Sequence, residues 1–168
     1  ANGSIYAVRK KAYVTLPDDS ISDHLEPIKV YGNGLDVIYE PEAIAIEDVP
    51  DNVLRRKRRI ILRSLVSMKY VLALLNPFNK RSVFIPYVSH KLIRWFSPFF
   101  LLIIFFTTGL LMDNNNFYSY FLAVQILFYS FGWLFHPVRY FIQVNLASLL
   151  AVIDWLTGHR QNTWNVVR

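Results

Sequence analysis

Asp23 is the residue of this chain best placed to move a proton. It stands in Ser22-Asp23-His24, at the start of a predicted short helix and ahead of the turn Gly32-Asn33-Gly34. A carboxylate there can take the proton of a hydroxyl group as that oxygen attacks a carbon centre. Helix N-capping by Ser22 or Asp23 is the competing use. Arg56 and Arg59 lie in a run of five basic residues, Arg55 to Arg59. Guanidinium forks match phosphate oxygens, but Lys and Arg before an apolar span also fix its orientation. Asn2-Gly3 supplies a turn where the backbone can approach a ligand. Asp18-Asp19 reads as a solvated loop pair. There is no Cys, and His24, His90, His136 and His159 show no ligand spacing. The first absence excludes disulfides, thiolate metal sites and cysteine nucleophiles; the His spacing gives no reason to expect a zinc site, and no metal-binding residue is assigned within the chain.

The elements that must hold these groups divide the chain in three. Residues 1–53 hold ten of the twelve acids in a sequence of ordinary polarity. Alternating patterns at Ser4–Val8, Leu35–Tyr39 and Ala43–Ile46 predict strands, and Ile21, Leu25 and Ile28 give the intervening helix one apolar face, with Pro27 limiting it to an imperfect first turn. The expected lobe is α/β but too short for a complete core. Residues 54–94 carry eleven Lys or Arg and no acid. Leu54, Ile61, Leu65, Met68, Leu72 and Leu75 recur at helical spacing, which predicts a basic amphipathic helix at a membrane interface, ended by Asn76-Pro77. Ser89–Trp95 is a second basic segment leading into a span. Residues 95–168 hold two uncharged runs, Trp95–Met112 and Phe117–Phe135, each long enough to cross most of a hydrocarbon layer of about 30 Å. Tyr140–Ile153, followed by Asp154, is a third apolar stretch that either spans or lies at the interface. The net charge of +6 is confined to the segment before the spans, which favours lipid over nucleic acid as the partner.

Several stretches resemble the acceptor-side half of family-2 membrane glycosyltransferases, the group that includes cellulose, hyaluronan and poly-N-acetylglucosamine synthases. They are Asn2-Gly3-Ser4-Ile5-Tyr6-Ala7-Val8-Arg9, Ser22-Asp23-His24 with Gly34, and Val37-Ile38-Tyr39-Glu40-Pro41-Glu42-Ala43. The likeness continues through Arg56-Lys57-Arg58-Arg59-Ile60, Ser89–Trp95 and Trp164–Arg168. It implies a partial glycosyltransferase-A-type lobe, then interfacial helices and two or three transmembrane spans. It also implies that Asp23 is the catalytic base, with Ser22 where the family has a first acid. Arg56 and Arg59 fall on the family's Gln-x-x-Arg-Trp motif, whose Gln and Trp are replaced here by Arg56 and Ile60. With Asn2 and Gly3 they would contact diphosphate or acceptor. The family's divalent metal, Mg or Mn, is held by an upstream Asp-x-Asp motif, so the resemblance places it on residues outside this sequence, in an amino-terminal part that the chain lacks.

The expected function is inverting sugar transfer from a nucleotide-sugar donor to a glycan or lipid-linked acceptor. It would occur in the inner (plasma) membrane, multi-pass, with the catalytic lobe cytoplasmic. The alternative is a non-enzymatic polybasic anchor or scaffold that binds anionic lipid. The charge pattern itself makes a topological prediction: basic residues precede the first run, and Asp113–Asn116 contains none. Cysteines introduced at Ser82 and at Asn115 should react with impermeant reagent from opposite sides of the membrane. Labelling of both from one side overturns that topology.

Overall fold

The computed structural model describes residues 5–17, 20–46, 52–74 and 81–158. Its order is α1 (Ser22–Gly32), α2 (Val53–Leu74), α3 (Arg81–Tyr87), a π-helical turn (Val88–Leu92), α4 (Ile93–Leu110), α5 (Asn116–Phe131), a 3₁₀ turn (Gly132–Leu134) and α6 (His136–Leu156).

There is no strand among the described residues, and this overturns the expected α/β glycosyltransferase-A-type lobe. Residues 5–8, 35–39 and 43–46 run without ladder partners. Ile38, Tyr39, Ile44 and Ile46 stand 79–95 % exposed. Alternation gives a strand its two faces, but a strand forms only when a neighbour takes its backbone hydrogen bonds, and no described segment does so here. The helix predicted after Leu16–Ser20 is present and longer than expected. Pro27 lies inside α1, where it cannot donate to the Asp23 carbonyl yet does not end the helix.

α2 starts at Asn52, whose Oδ1 accepts from the Arg55 backbone N–H at 2.9 Å. It contains no Gly or Pro and is gripped on two sides. Ile61, Leu62 and Leu65 pack with Trp95 of α4 and with Ala151 and Val152 of α6. Val71 packs with Leu25 of α1 and Tyr87 of α3. The apolar stripe predicted to meet lipid thus serves in part as a protein interface. At one end of the α2–α6 contact, Arg58 donates through Nε and Nη2 to the two carboxylate oxygens of Asp154, both at 2.7 Å.

α3, the π turn and α4 form one unbroken helix into the apolar hairpin. Pro98 removes the donor for the Arg94 carbonyl, and Ser97 Oγ stands 2.8 Å from that carbonyl and 2.8 Å from Asn145 Oδ1 of α6. Ser148 Oγ donates to the Trp95 carbonyl at 2.7 Å in a buried contact. Among the described residues two helices are long and apolar enough to cross a membrane, Phe84–Leu110 and Asn116–Leu134. Only 17 % and 6 % of their most apolar stretches are buried within the described chain, so most of their apolar surface is left without a protein neighbour there. α6 does not meet that standard of apolarity. It carries Gln143 and Asn145, and it lies against α2, α4 and the 3₁₀ turn. At that turn a side chain on Gly132 would come within 2.6 Å of Val138 Cγ1 and 2.9 Å of Ile142 Cδ1, so the chain reverses there on a glycine.

The Arg58–Asp154 pair makes an asymmetric prediction, because the Arg58 side chain is 33 % exposed and that of Asp154 12 %. Arg58→Met strands a carboxylate in a poorly hydrated place and should destabilise the α2–α6 contact by about 1–3 kcal/mol. Asp154→Asn should cost less, since Arg58 can turn to water. Thermal unfolding in micelles, followed by Trp fluorescence, measures both. Equal losses, or no recovery in the Arg58→Met/Asp154→Leu double variant, would refute this account.

Candidate active site around Asp23

The segment before α1 is docked on α2 by polar contacts. Ile21 N–H donates to Ser67 Oγ at 3.2 Å, and Ser67 Oγ donates to the Arg63 carbonyl at 2.9 Å. Arg63 Nη2 donates to the Ser20 carbonyl at 3.1 Å, and Ser20 Oγ donates to the Pro17 carbonyl at 2.6 Å. Ile21, not Ser22 or Asp23, occupies the N-cap position, and no side chain makes a cap bond there. The half-buried Asp23 therefore lies in the first turn of α1, where a negative charge is favoured by the helix dipole.

Asp23 interacts with groups of two other elements. Lys91 of the π turn interacts with it electrostatically, as does Tyr6 from the extended segment. Tyr6 also donates its hydroxyl proton to Glu26 Oε2 at 2.9 Å. His24 follows Asp23 and is 4 % exposed. Its ring stacks on Tyr87 with centroids 5.5 Å apart and meets Trp95 edge-on at 6.0 Å. Neither ring nitrogen has a hydrogen-bond partner. Burial pushes the imidazole down to a pKa of about 3, with the Lys91 charge adding to the effect.

The residues anticipated from sequence are not gathered at one point. Arg56 and Arg59 sit in the first turns of α2, and with Arg63 they follow one face at spacings of three and four. Ser67, where α1 docks, is eight residues beyond Arg59, or about 12 Å along the axis, and about 16 Å beyond Arg56. Both arginines make further contacts within the protein. Asn2 and Gly3 lie outside the described residues, as do Asp18, Asp19 and Trp164. The cation nearest in role to Asp23 is Lys91, which the sequence pattern had assigned to topology. Lys91, Tyr6, Arg63 and Ser67 escaped notice because each acts across a long sequence separation. The one local signal was a polar Ser64 and Ser67 recurring on a helix face that otherwise buries apolar groups. Among the described residues no group of three His, Cys, Asp or Glu side chains could hold a metal ion.

The buried imidazole makes the docking of α1 sensitive to acid. Its folded pKa, about 3, lies below the ordinary 6.5. Between those values the unfolded chain binds the proton and the folded chain does not, so stability is full above pH 6.5 and falls as acid is added. Hydrogen exchange of the α1 amides, corrected for intrinsic pH dependence, should lose protection from pH 7 to pH 4.5. His24→Phe should flatten that slope, and an unchanged slope in the variant refutes the assignment.

No family model matches the sequence, and no curated protein or solved structure is significantly similar to it. The functional reading therefore rests on the residues themselves.

Proposed function

We propose that the chain forms the acceptor-side and membrane-embedded part of an inverting glycosyltransferase, working at the membrane surface on a glycan or lipid-linked acceptor. The observation that carries this reading is the first turn of α1. Its carboxylate, Asp23, makes no cap bond, interacts electrostatically with Lys91, and belongs to a helix fixed to the basic helix α2 through Ser20, Ile21, Arg63 and Ser67. Asp23 takes the proton of the acceptor hydroxyl as its oxygen bonds to the anomeric carbon of the donor sugar. The bond from that carbon to the nucleoside diphosphate breaks, and its electron pair leaves on the phosphate oxygen. Arg59 and Arg56, about one and two turns beyond Arg63 on the same face of α2, add positive potential on the side toward which that leaving group would depart. Donor and metal would be held by residues outside this sequence, Mg or Mn lending further charge to the diphosphate. The catalytic lobe is cytoplasmic in this reading, because the basic belt lies on its side of the spans. Two membrane-length helices and the dense positive charge before them are equally what a polybasic anchor requires. Catalysis at Asp23 separates the two functions.

Asp23→Asn in the full-length protein preserves size and helix-forming character. If Asp23 is the base, turnover falls by about 10²–10⁴-fold while nucleotide-sugar binding persists. Turnover within a few fold of wild type, in a variant that folds and binds donor, eliminates Asp23. Absence of turnover in the wild-type protein with every nucleotide sugar in a broad panel favours the anchor.

A further inference from the structure

Gln125 places a side-chain amide within the apolar helix α5. It lies nine residues beyond Asn116, about 14 Å into a membrane-length segment of about 28 Å. Its Nε2 donates to Thr108 Oγ1 of α4 at 3.3 Å, and Thr108 Oγ1 donates in turn to the Ile104 carbonyl at 2.6 Å. Gln125 Oε1 accepts from no described residue. Halfway across a hydrocarbon layer no water stands ready for that oxygen, so it is costly until a donor from another helix reaches it. Tyr120 is in the converse state: it is 73 % exposed, and its hydroxyl has no hydrogen-bond partner among the described residues. Between the two runs a stripe of Phe117, Phe121, Val124, Phe128 and Phe131, all 41–64 % exposed, at spacings of four, three, four and three. That is the a/d repeat by which helices pair side by side, and on it Tyr120 takes a g position and Gln125 an e position, on opposite flanks.

We propose that a second copy of this chain covers the stripe, with the Tyr120 hydroxyl of each copy donating to Gln125 Oε1 of the other. Copies of one sequence insert with one orientation, so a two-fold axis relating them runs along the membrane normal and brings equal depths together. In such a parallel pair the g residue of one helix lies opposite the e residue five positions further along its partner, which is the separation of Tyr120 from Gln125. Each face offers one donor and one acceptor, so the contact is self-complementary and closed. Phe117 and Phe121 already stack at 6.1 Å, and Phe128 meets Phe141 of α6 edge-on at 5.9 Å, so much of the ridge is set before a partner arrives. Acyl chains would cover the same rings but bring no donor to Oε1. The pairing requires α5 to lie in the membrane and makes no use of Asp23, so it is independent of the sugar-transfer reading.

The chain has no Cys, so single cysteines report on the contact without background. In the membranes of expressing cells, oxidation of Val124→Cys should yield a disulfide-linked dimer. Ile126→Cys, also exposed but about 180° round the helix from the middle of the stripe, should yield little. By sedimentation equilibrium in micelles, Tyr120→Phe and Gln125→Leu should each weaken the dimer about ten-fold, the combined effect of two equivalent hydrogen bonds between membrane helices. The double variant should be little weaker than either, because both changes remove the same bonds. Thr108→Val, which removes a bond inside one copy, should leave association intact. Tyr120→Phe carries the test if Gln125→Leu does not fold, since Tyr120 touches no described polar group. A chain that stays monomeric, equal cross-linking from the two cysteine positions, or a Tyr120→Phe dimer as tight as wild type overturns the proposal. So does a Val124→Cys disulfide to a different protein in place of a second copy, or a loss in Thr108→Val equal to that in Gln125→Leu.

Discussion

The two-pronged bond between Arg58 and Asp154 ties the basic helix to the end of the chain's last described helix, and much of the molecule depends on that tie. A guanidinium and a carboxylate in matched fork geometry give one relative placement, where apolar surfaces alone would tolerate sliding. With α2 and α6 fixed at that point, Ile61, Leu62 and Leu65 meet Ala151 and Val152, and Trp95 closes the group from α4. Both partners are sheltered from water to different degrees, so the pair specifies position more than it supplies stability.

A helix held on two sides behaves differently from one floating on a lipid surface. α2 gives its Ile61–Leu65 side to the apolar hairpin through Trp95 and α6, and its Ser67–Val71 side to α1. The carboxylate of α1 and the membrane-length helices are thereby referred to one rod. The Tyr87–His24–Trp95 stack adds a direct bridge between α1 and the helix entering the hairpin. It is made almost wholly of ring contacts, which is why its imidazole has no polar partner and resists protonation.

The parts of this fold legible in the sequence were those set by composition over a long window. Trp95–Met112 and Phe117–Phe135, read from missing charge, lie against helices Ile93–Leu110 and Asn116–Phe131 with differences of a few residues at their ends. The helix carrying Asp23 was likewise readable, from Ile21, Leu25 and Ile28. The strands at Leu35–Tyr39 and Ala43–Ile46 failed because alternation records only the preference of a single segment, while a sheet is a property of pairs. Asp154 was visible as an acid beside an apolar stretch, yet nothing local to it pointed to Arg58, a residue ninety-six positions away. Lys91 read as one charge among eleven, and its burial together with its electrostatic interaction with Asp23 and His24 sets it apart.

The π-helical turn at Val88–Leu92 works as a phase shifter between two helical lattices. Such a turn accommodates one residue more than an α-helix would over the same rise, so everything after it is rotated by about 100° relative to an uninterrupted helix. Tyr87 lies before the shift and Trp95 after it, yet both rings meet the same imidazole. In a uniform α-helix those two positions are eight residues apart and differ in azimuth by about 80°, too far round the cylinder to flank one small ring. The extra residue brings the two azimuths nearly into line. The length of Val88–Leu92 is thus as much a determinant of this junction as the identity of any side chain in it, and loss of a single residue there would turn the apolar hairpin about its own axis beneath α1.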